Sequence, residues 1–209
     1  MPELPPQLRL YLVADPDHTS GDFVAMIEAA LAGGVTSVQL RCKGRTDREV
    51  MNLARAIRAA THKHGALFLV NDRVDIALAC GADGVHLGVD DLPIEDARQL
   101  GGSTFVVGFS PETDEQAQSA RSRGADYLGV GPVFGTSTKS DAGAAIGLET
   151  ISRRAGLAGV PIIGIGGITA ANARSVIDAG AVGVAVVSAI SMHGDPKRAA
   201  QSLGRSIER

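Results

Sequence analysis

A chain of 209 residues has room for one α/β barrel or one doubly wound sheet, not for two ordinary domains. Hydrophobic residues make up 44% but aromatics only 3%, so the expected core is aliphatic, as in parallel sheets. A net charge of −3 gives no sign of a nucleic-acid surface or a basic membrane patch.

Residues 1–7 are Pro-rich and read as an irregular lead-in. A strand over 8–13 leads through the turn Asp15-Pro16-Asp17-His18 to a helix over 22–32, ended by Gly33-Gly34. A strand over 36–41 and a helix over 47–64 follow, then a strand over 66–70 and a short helix over 74–80, closed by Gly81. A strand over 84–87 precedes a helix over 93–100 with Pro93 in its first turn. A strand over 104–109 precedes a helix over 112–123, and one over 126–130 enters the loop Gly131-Pro132-Val133-Phe134-Gly135-Thr136-Ser137-Thr138-Lys139. A helix over 148–155, a strand over 161–165, a helix over 170–179, a strand over 182–187 and a helix over 196–207 complete the chain. A short extra helix is expected at Ser188-Ala189-Ile190-Ser191.

A weak internal repeat supports this alternation. Gly33-Gly34-Val35, Gly81-Ala82-Asp83, Gly124-Ala125-Asp126 and Gly180-Ala181-Val182 each end a helix and start a strand. Eight such βα units point to a single-domain (β/α)8 TIM barrel over 1–209. An open doubly wound sheet would carry a Gly-rich turn after its first strand, where this chain has Ala14-Asp15-Pro16. Cys42 and Cys80 lack metal-ligand spacing and read as free thiols in a reducing cytoplasm. With no apolar run long enough for a bilayer and no signal-peptide pattern, a soluble intracellular protein is expected.

In such a barrel the active site lies at the C-terminal strand ends. Strand alternation puts Gln39, Arg41 and Lys43 on one side and Leu40 and Cys42 on the other, packed outward. Two cations on one rim make an anion site; the structural alternative is an ion pair with an inward acid. Asp72 and Asp91 come from neighbouring loops and could hold Mg²⁺, which favours one or two carboxylates plus waters and substrate phosphates. The alternatives are a helix N-cap for Asp72 and a turn before Pro93 for Asp90 and Asp91; Asp75 reads as structural. His86, at a strand end, reads as a hydrogen-bonded packing residue. Ser110 before Pro111 reads, taken alone, as a helix cap. Gly166-Gly167 and Ser188 fit the phosphate site that barrels often build after their last two strands. The hydroxyls and lysine of the loop 131–139 suit an anionic oxygen cluster.

Together these pieces resemble the thiamine-phosphate synthase family: Gln39-Leu40-Arg41-Cys42-Lys43, Asn71-Asp72, His86-Leu87-Gly88 with Asp91, Ser110, Gly131-Pro132-Val133-Phe134 with Thr136-Ser137-Thr138-Lys139, Gly164-Ile165-Gly166-Gly167-Ile168, and Val187-Ser188. They run in the family's order over nearly the whole chain. The resemblance implies a transferase that joins a hydroxymethylpyrimidine diphosphate to a thiazole phosphate, as its carboxylated form, and releases pyrophosphate. It implies that Gln39, Leu40, Arg41, Cys42, Lys43, Asn71, Ser110 and Lys139 meet the pyrimidine diphosphate. Thr136, Ser137, Thr138, Gly167, Val187 and Ser188 would meet the thiazole phosphate. Asp72 and Asp91 would hold one Mg²⁺, and Arg41, Lys43 and Lys139 would stabilise charge, with no nucleophilic side chain. Partners would be small molecules, neither nucleic acid nor membrane; a homo-oligomer is left open.

The chain departs from the family at Cys42, at Glu112 (where members usually have His) and at Gly135 (where Pro is common). Rival readings are a thiazole tautomerase, another phosphosugar-type isomerase, and a non-catalytic phosphate-ligand binding protein.

Overall fold

Strands rich in Val, Leu and Ile, most of them entered from a Gly-ended helix, close into an eight-stranded parallel barrel in the computed structural model, which describes residues 4–136 and 143–208. The chain runs α1 (Leu4–Gln7), β1 (Leu10–Ala14), α2 (Phe23–Ala32), β2 (Ser37–Leu40), α3 (Asp47–His64), β3 (Leu67–Asn71) and α4 (Val74–Cys80). It continues through β4 (Gly84–Leu87), α5 (Ile94–Gly101), β5 (Val106–Phe109), α6 (Asp114–Arg123) and β6 (Tyr127–Val130). It ends with α7 (Gly147–Leu157), β7 (Ile162–Ile165), α8 (Ala173–Asp178), β8 (Gly183–Val186), α9 (Ser188–Ser191) and α10 (Pro196–Ser206). β1 pairs with both β2 and β8, so no strand edge is left open.

The start of the chain differs from the irregular lead-in expected. Residues 4–7 form a helical turn, and Leu8 donates back to Leu4 and Pro5 carbonyls. Proline is tolerated there because a first-turn N–H has no helical partner anyway. The turn delivers Leu8, fully buried, into the bottom of the barrel.

Helix ends follow local chemistry. Thr46 and Glu49 form a reciprocal capping box at α3, and Gly65 stops the helix in the left-handed conformation. Thr113 and Gln116 form the same box at α6. Ser110 is therefore not the cap that its place before Pro111 suggests.

Alternation sorts the strand side chains into two layers. One fills the shell between strands and helices, with Leu12, Val38, Leu40, Val85 and Leu128 among its buried members. The other fills the barrel lumen: Leu8, Tyr11, Val13, Leu67, Leu69, Val106, Tyr127, Ile163 and Ala185. The shell is mostly aliphatic, with Phe68, Phe105 and Phe109 as its buried aromatics, whereas both tyrosines of the chain lie in the lumen. Among the described residues no helix is long and apolar enough to cross a membrane.

Candidate active site

The C-terminal strand ends open into a single cavity of about 850 Å³. Gln39, Arg41, Lys43, Asn71, Asp72, Asp91, Ser110, Thr136, Gly167, Val187 and Ser188 all line it. Leu40 and Cys42 do not. Leu40 is buried in the outer shell and Cys42 packs against that shell, because the pleat turns alternate residues away from the mouth. Their side chains turn away from the mouth, so only their backbone could meet the pyrimidine diphosphate expected there. Ser137, Thr138 and Lys139 lie outside the described residues.

The cationic rim is held by acids. Arg41 Nη1 donates to Asp15 Oδ2 at 2.6 Å, and Asp15 is only 4% exposed. The ion pair weighed as the structural alternative therefore exists, yet Arg41 still faces the cavity. Asp15 Oδ1 also accepts from the Asp17 backbone at 3.0 Å, which fixes the carboxylate. The turn reading of Asp15-Pro16-Asp17 missed this role. Lys43 Nζ sits 3.2 Å from Asp72 Oδ2.

Asp72 is the one non-glycine among the described residues with positive φ, at 63°. That conformation is disfavoured for most side chains, and Asp tolerates it better than most. It lifts the carboxyl off the helix it precedes: α4 begins after Arg73 with no side-chain cap. The N-cap alternative for Asp72 is thus ruled out. Asp91 reaches Asp72 from the next loop, anchored by the Gly88 N–H, which donates to its Oδ2 at 2.7 Å. Burial, and then the adjoining Asp91 carboxyl, push Asp72 above the usual carboxylate range, while Lys43 pulls it down. Two carboxyls crowded together in this way fit a divalent cation that would relieve their repulsion. Among the described residues no cluster of three or more His, Cys, Asp or Glu offers a fuller metal site. Asp75 instead pairs with Arg73 at 2.6 Å.

Beneath the mouth runs a buried polar chain that sequence reasoning did not find. Gln39 Nε2 donates to Tyr11 Oη at 2.7 Å, Tyr11 Oη meets Tyr127 Oη at 2.9 Å, and Tyr127 Oη meets His86 Nδ1 at 2.8 Å. His86 Nε2 then meets Ser110 Oγ at 2.8 Å. His86 is hydrogen-bonded, as expected, but it also lines the cavity. The signal that could have shown this is a pair of inward strand positions held by glycine. Register places Gly108 opposite His86 on one side and Tyr127 on the other. A Cβ on Gly108 would lie 2.3 Å from Tyr127 Cζ and 2.5 Å from His86 Nδ1.

Across the mouth, α9 forms as expected after β8, with Ser188 as its first residue. Gly167 has φ of 63°, and a Cβ there would lie 2.5 Å from the Gly135 carbonyl oxygen. The loop after β6 is seated on the loop after β7 by Val133 N–H to Ile165 O at 2.8 Å and Phe134 N–H to Gly166 O at 3.1 Å. Arg154, nearly buried at the cavity wall, donates to the Pro111 and Glu112 carbonyls at 2.9 and 2.6 Å. That holds the loop carrying Ser110, and at position 112 it uses backbone alone.

A family model described as thiamine monophosphate synthase matches residues 10–190. The thiamine-phosphate synthase of Moorella thermoacetica is 46% identical over 205 residues, covering 98% of each chain. That of Pyrococcus horikoshii is 44% identical over 202 residues, covering 97% of this chain and 96% of its own. The solved structure of thiamine phosphate pyrophosphorylase from Pyrococcus furiosus superposes with a TM-score of 0.90 at 38% identity, over 98% of both chains. Likeness of this extent, in sequence and in backbone alike, fixes descent: the chain belongs to the thiamine monophosphate synthase family.

Proposed function

We propose that the chain joins a hydroxymethylpyrimidine diphosphate to a thiazole phosphate, giving thiamine phosphate and pyrophosphate. The observation that carries the site assignment is the meeting of Arg41, Lys43, Asp72 and Asp91 at one rim of a cavity whose other rim is Gly167 and Ser188. One rim suits a diphosphate, the other a phosphate monoester.

The C–O bond between the pyrimidinylmethyl carbon and the diphosphate breaks, and its electron pair leaves with the diphosphate. The ring's amino group feeds electrons into the cation that remains. The thiazole nitrogen's lone pair then forms the new C–N bond. This sequence needs no protein nucleophile. It needs positive charge at the leaving group and two rings held face to face. Arg41, locked by Asp15, and Lys43 supply fixed charge beside the departing oxygens. Asp72 and Asp91 would hold Mg²⁺, which when bound adds charge on those same oxygens. Lys139 is assigned the same duty, and Ser137 and Thr138 the thiazole substrate, from the family motif alone. A tautomerase or a simple phosphate binder would have no use for the crowded Asp72–Asp91 pair.

The test is an incubation of the purified chain with both substrates. Thiamine phosphate and one equivalent of pyrophosphate should appear with Mg²⁺ and not with chelator. Asp72→Asn combined with Asp91→Asn should lower kcat by about a hundredfold or more, in line with loss of a main electrostatic group. Full turnover in that variant would remove the metal assignment.

A further inference from the structure

The buried chain from Gln39 to Ser110 has a direction, and the direction decides what Ser110 offers to a ligand. An amide nitrogen only donates, so Tyr11 Oη accepts from Gln39 at 2.7 Å. Tyr11 carries one hydrogen of its own and is only 1% exposed. Its next neighbour is Tyr127 Oη at 2.9 Å. Tyr11 borders the cavity floor, and if Tyr127 donated to it instead, the Tyr11 hydrogen would find no acceptor among the described residues, at a cost of about 1–3 kcal/mol. Tyr11 therefore donates to Tyr127, and Tyr127 donates to His86 Nδ1 at 2.8 Å. Burial pushes the Tyr11 phenol up to about 12 and, with Tyr11 beside it, pushes Tyr127 well up too. Both phenols keep their single proton at neutral pH.

A neutral imidazole that accepts at Nδ1 holds its proton at Nε2. His86 Nε2–H therefore donates to Ser110 Oγ at 2.8 Å. Having accepted there, the serine turns its own hydrogen toward the cavity it lines. We propose that Gln39, Tyr11 and Tyr127 are positioning residues that, through the tautomer of His86, make Ser110 a hydrogen donor selecting an unprotonated ring nitrogen in the ligand.

Only the identity of that ring, an aminopyrimidine, rests on the function proposed above. A ring presenting N–H at that point could take only the serine's remaining lone pair, leave the Ser110 hydrogen without a partner in the ligand, and bind more weakly. A ring with carbon there would leave the Ser110 hydrogen unpaired. Tyr127 does not itself line the cavity, so it can be altered without touching a ligand.

The experiment is a ¹⁵N long-range correlation spectrum of the ligand-free chain, with His86 assigned by His86→Gln. In the native chain Nε2 should resonate as protonated and Nδ1 as unprotonated. Tyr127→Phe should mix the two tautomers. Gln39→Glu, which puts an acceptor at the head of the chain, should reverse them. Calorimetry with the pyrimidine diphosphate and Mg²⁺, without thiazole phosphate, should show Tyr127→Phe binding roughly fivefold more weakly, the worth of one neutral hydrogen bond. A native His86 protonated at Nδ1 would overturn the proposal. So would Tyr127→Phe with unchanged affinity. The spectrum needs no substrate, so its failure is separable from a failure to make thiamine phosphate.

Discussion

Gly108 is where a single methyl group does most harm. Its Cβ would sit 2.3–2.5 Å from Tyr127 and His86, in a lumen with nowhere for either ring to go. Gly108→Ala should cost about 2 kcal/mol of overpacking. On a domain of this size that lowers Tm by roughly 4–8 °C. Gly129→Ala is the milder control, with its nearest contacts at 3.0–3.3 Å to the His86 ring and Ser110 Oγ. Equal Tm values for the two variants would show that the lumen yields more than the distances allow. Asp15→Asn tests the other buried polar contact. Arg41 would keep its place but lose its counter-charge, leaving the rim more positive, so KM for the pyrimidine diphosphate should fall. Stability to urea should fall by about 1–3 kcal/mol, the cost of unpairing a partly buried charge.

At this scale the sequence was readable where the signal is local. The two-residue period alone sends Gln39, Arg41 and Lys43 inward, and the same rule sends Leu40 and Cys42 out. Taken alone, Ser110 before Pro111 imitates a cap, but Thr113 and Gln116 form the cap three residues on, and Ser110 lines the cavity. Tyr11 and Tyr127 went unseen for another reason. Their oxygens meet across the lumen from positions 116 residues apart, and no spacing rule spans that distance.

Elements repeat a device at the barrel's N-terminal end. Asp83, just before β4, accepts from the Phe68 N–H at 2.8 Å and from Arg58 of α3 at 2.9 Å. Asp126, just before β6, accepts from the Val107 N–H at 2.8 Å and from Arg98 of α5 at 2.5 Å. Each aspartate ties its own strand to the one before it and to a helix. This explains physically the Gly-Ala-Asp repeat that marks the units in the sequence.

The α6–α7 contact carries a different tie. Asp114, in the first turn of α6, accepts from Arg153 Nε at 2.5 Å and Arg154 Nε at 3.0 Å. Arg153 and then Arg154 hold its carboxyl below the usual range. A carboxyl depressed in the folded state adds stability above its unfolded pKa and loses it as pH falls through the folded one. The native chain should therefore melt above Asp114→Asn at neutral pH. The gap should close as pH falls below about 4, the ordinary carboxylate value. Melting curves for the pair across that range check the sign; a gap widening in acid would refute the assignment.

For the whole molecule, the closed barrel turns chain order into a division of labour. The ends of β2 to β4 carry the charged rim, and the ends of β7 and β8 carry the glycines and Ser188. Eight alternating units made this architecture legible, because Gly-ended helices and apolar strands recur along the chain. The cross-lumen contacts were not legible, because they depend on which strands face each other once the ring has closed. A ligand that bridges the charged rim should stabilise the whole barrel. Mg²⁺ with pyrophosphate at about a hundred times its Kd should add about 2.7 kcal/mol. The matching rise in Tm is roughly 5–10 °C. Neither ion alone should match it, and the double Asp72, Asp91 variant should show little of it.

Both tyrosines lie within the lumen, and the chain contains no tryptophan. Ultraviolet emission from this protein therefore originates almost wholly inside the cylinder, from the two phenols whose hydroxyls touch. The molecule carries a built-in optical reporter of its own interior. A change in that glow on adding a pyrimidine would register events at the floor of the site, with no dye or engineered label.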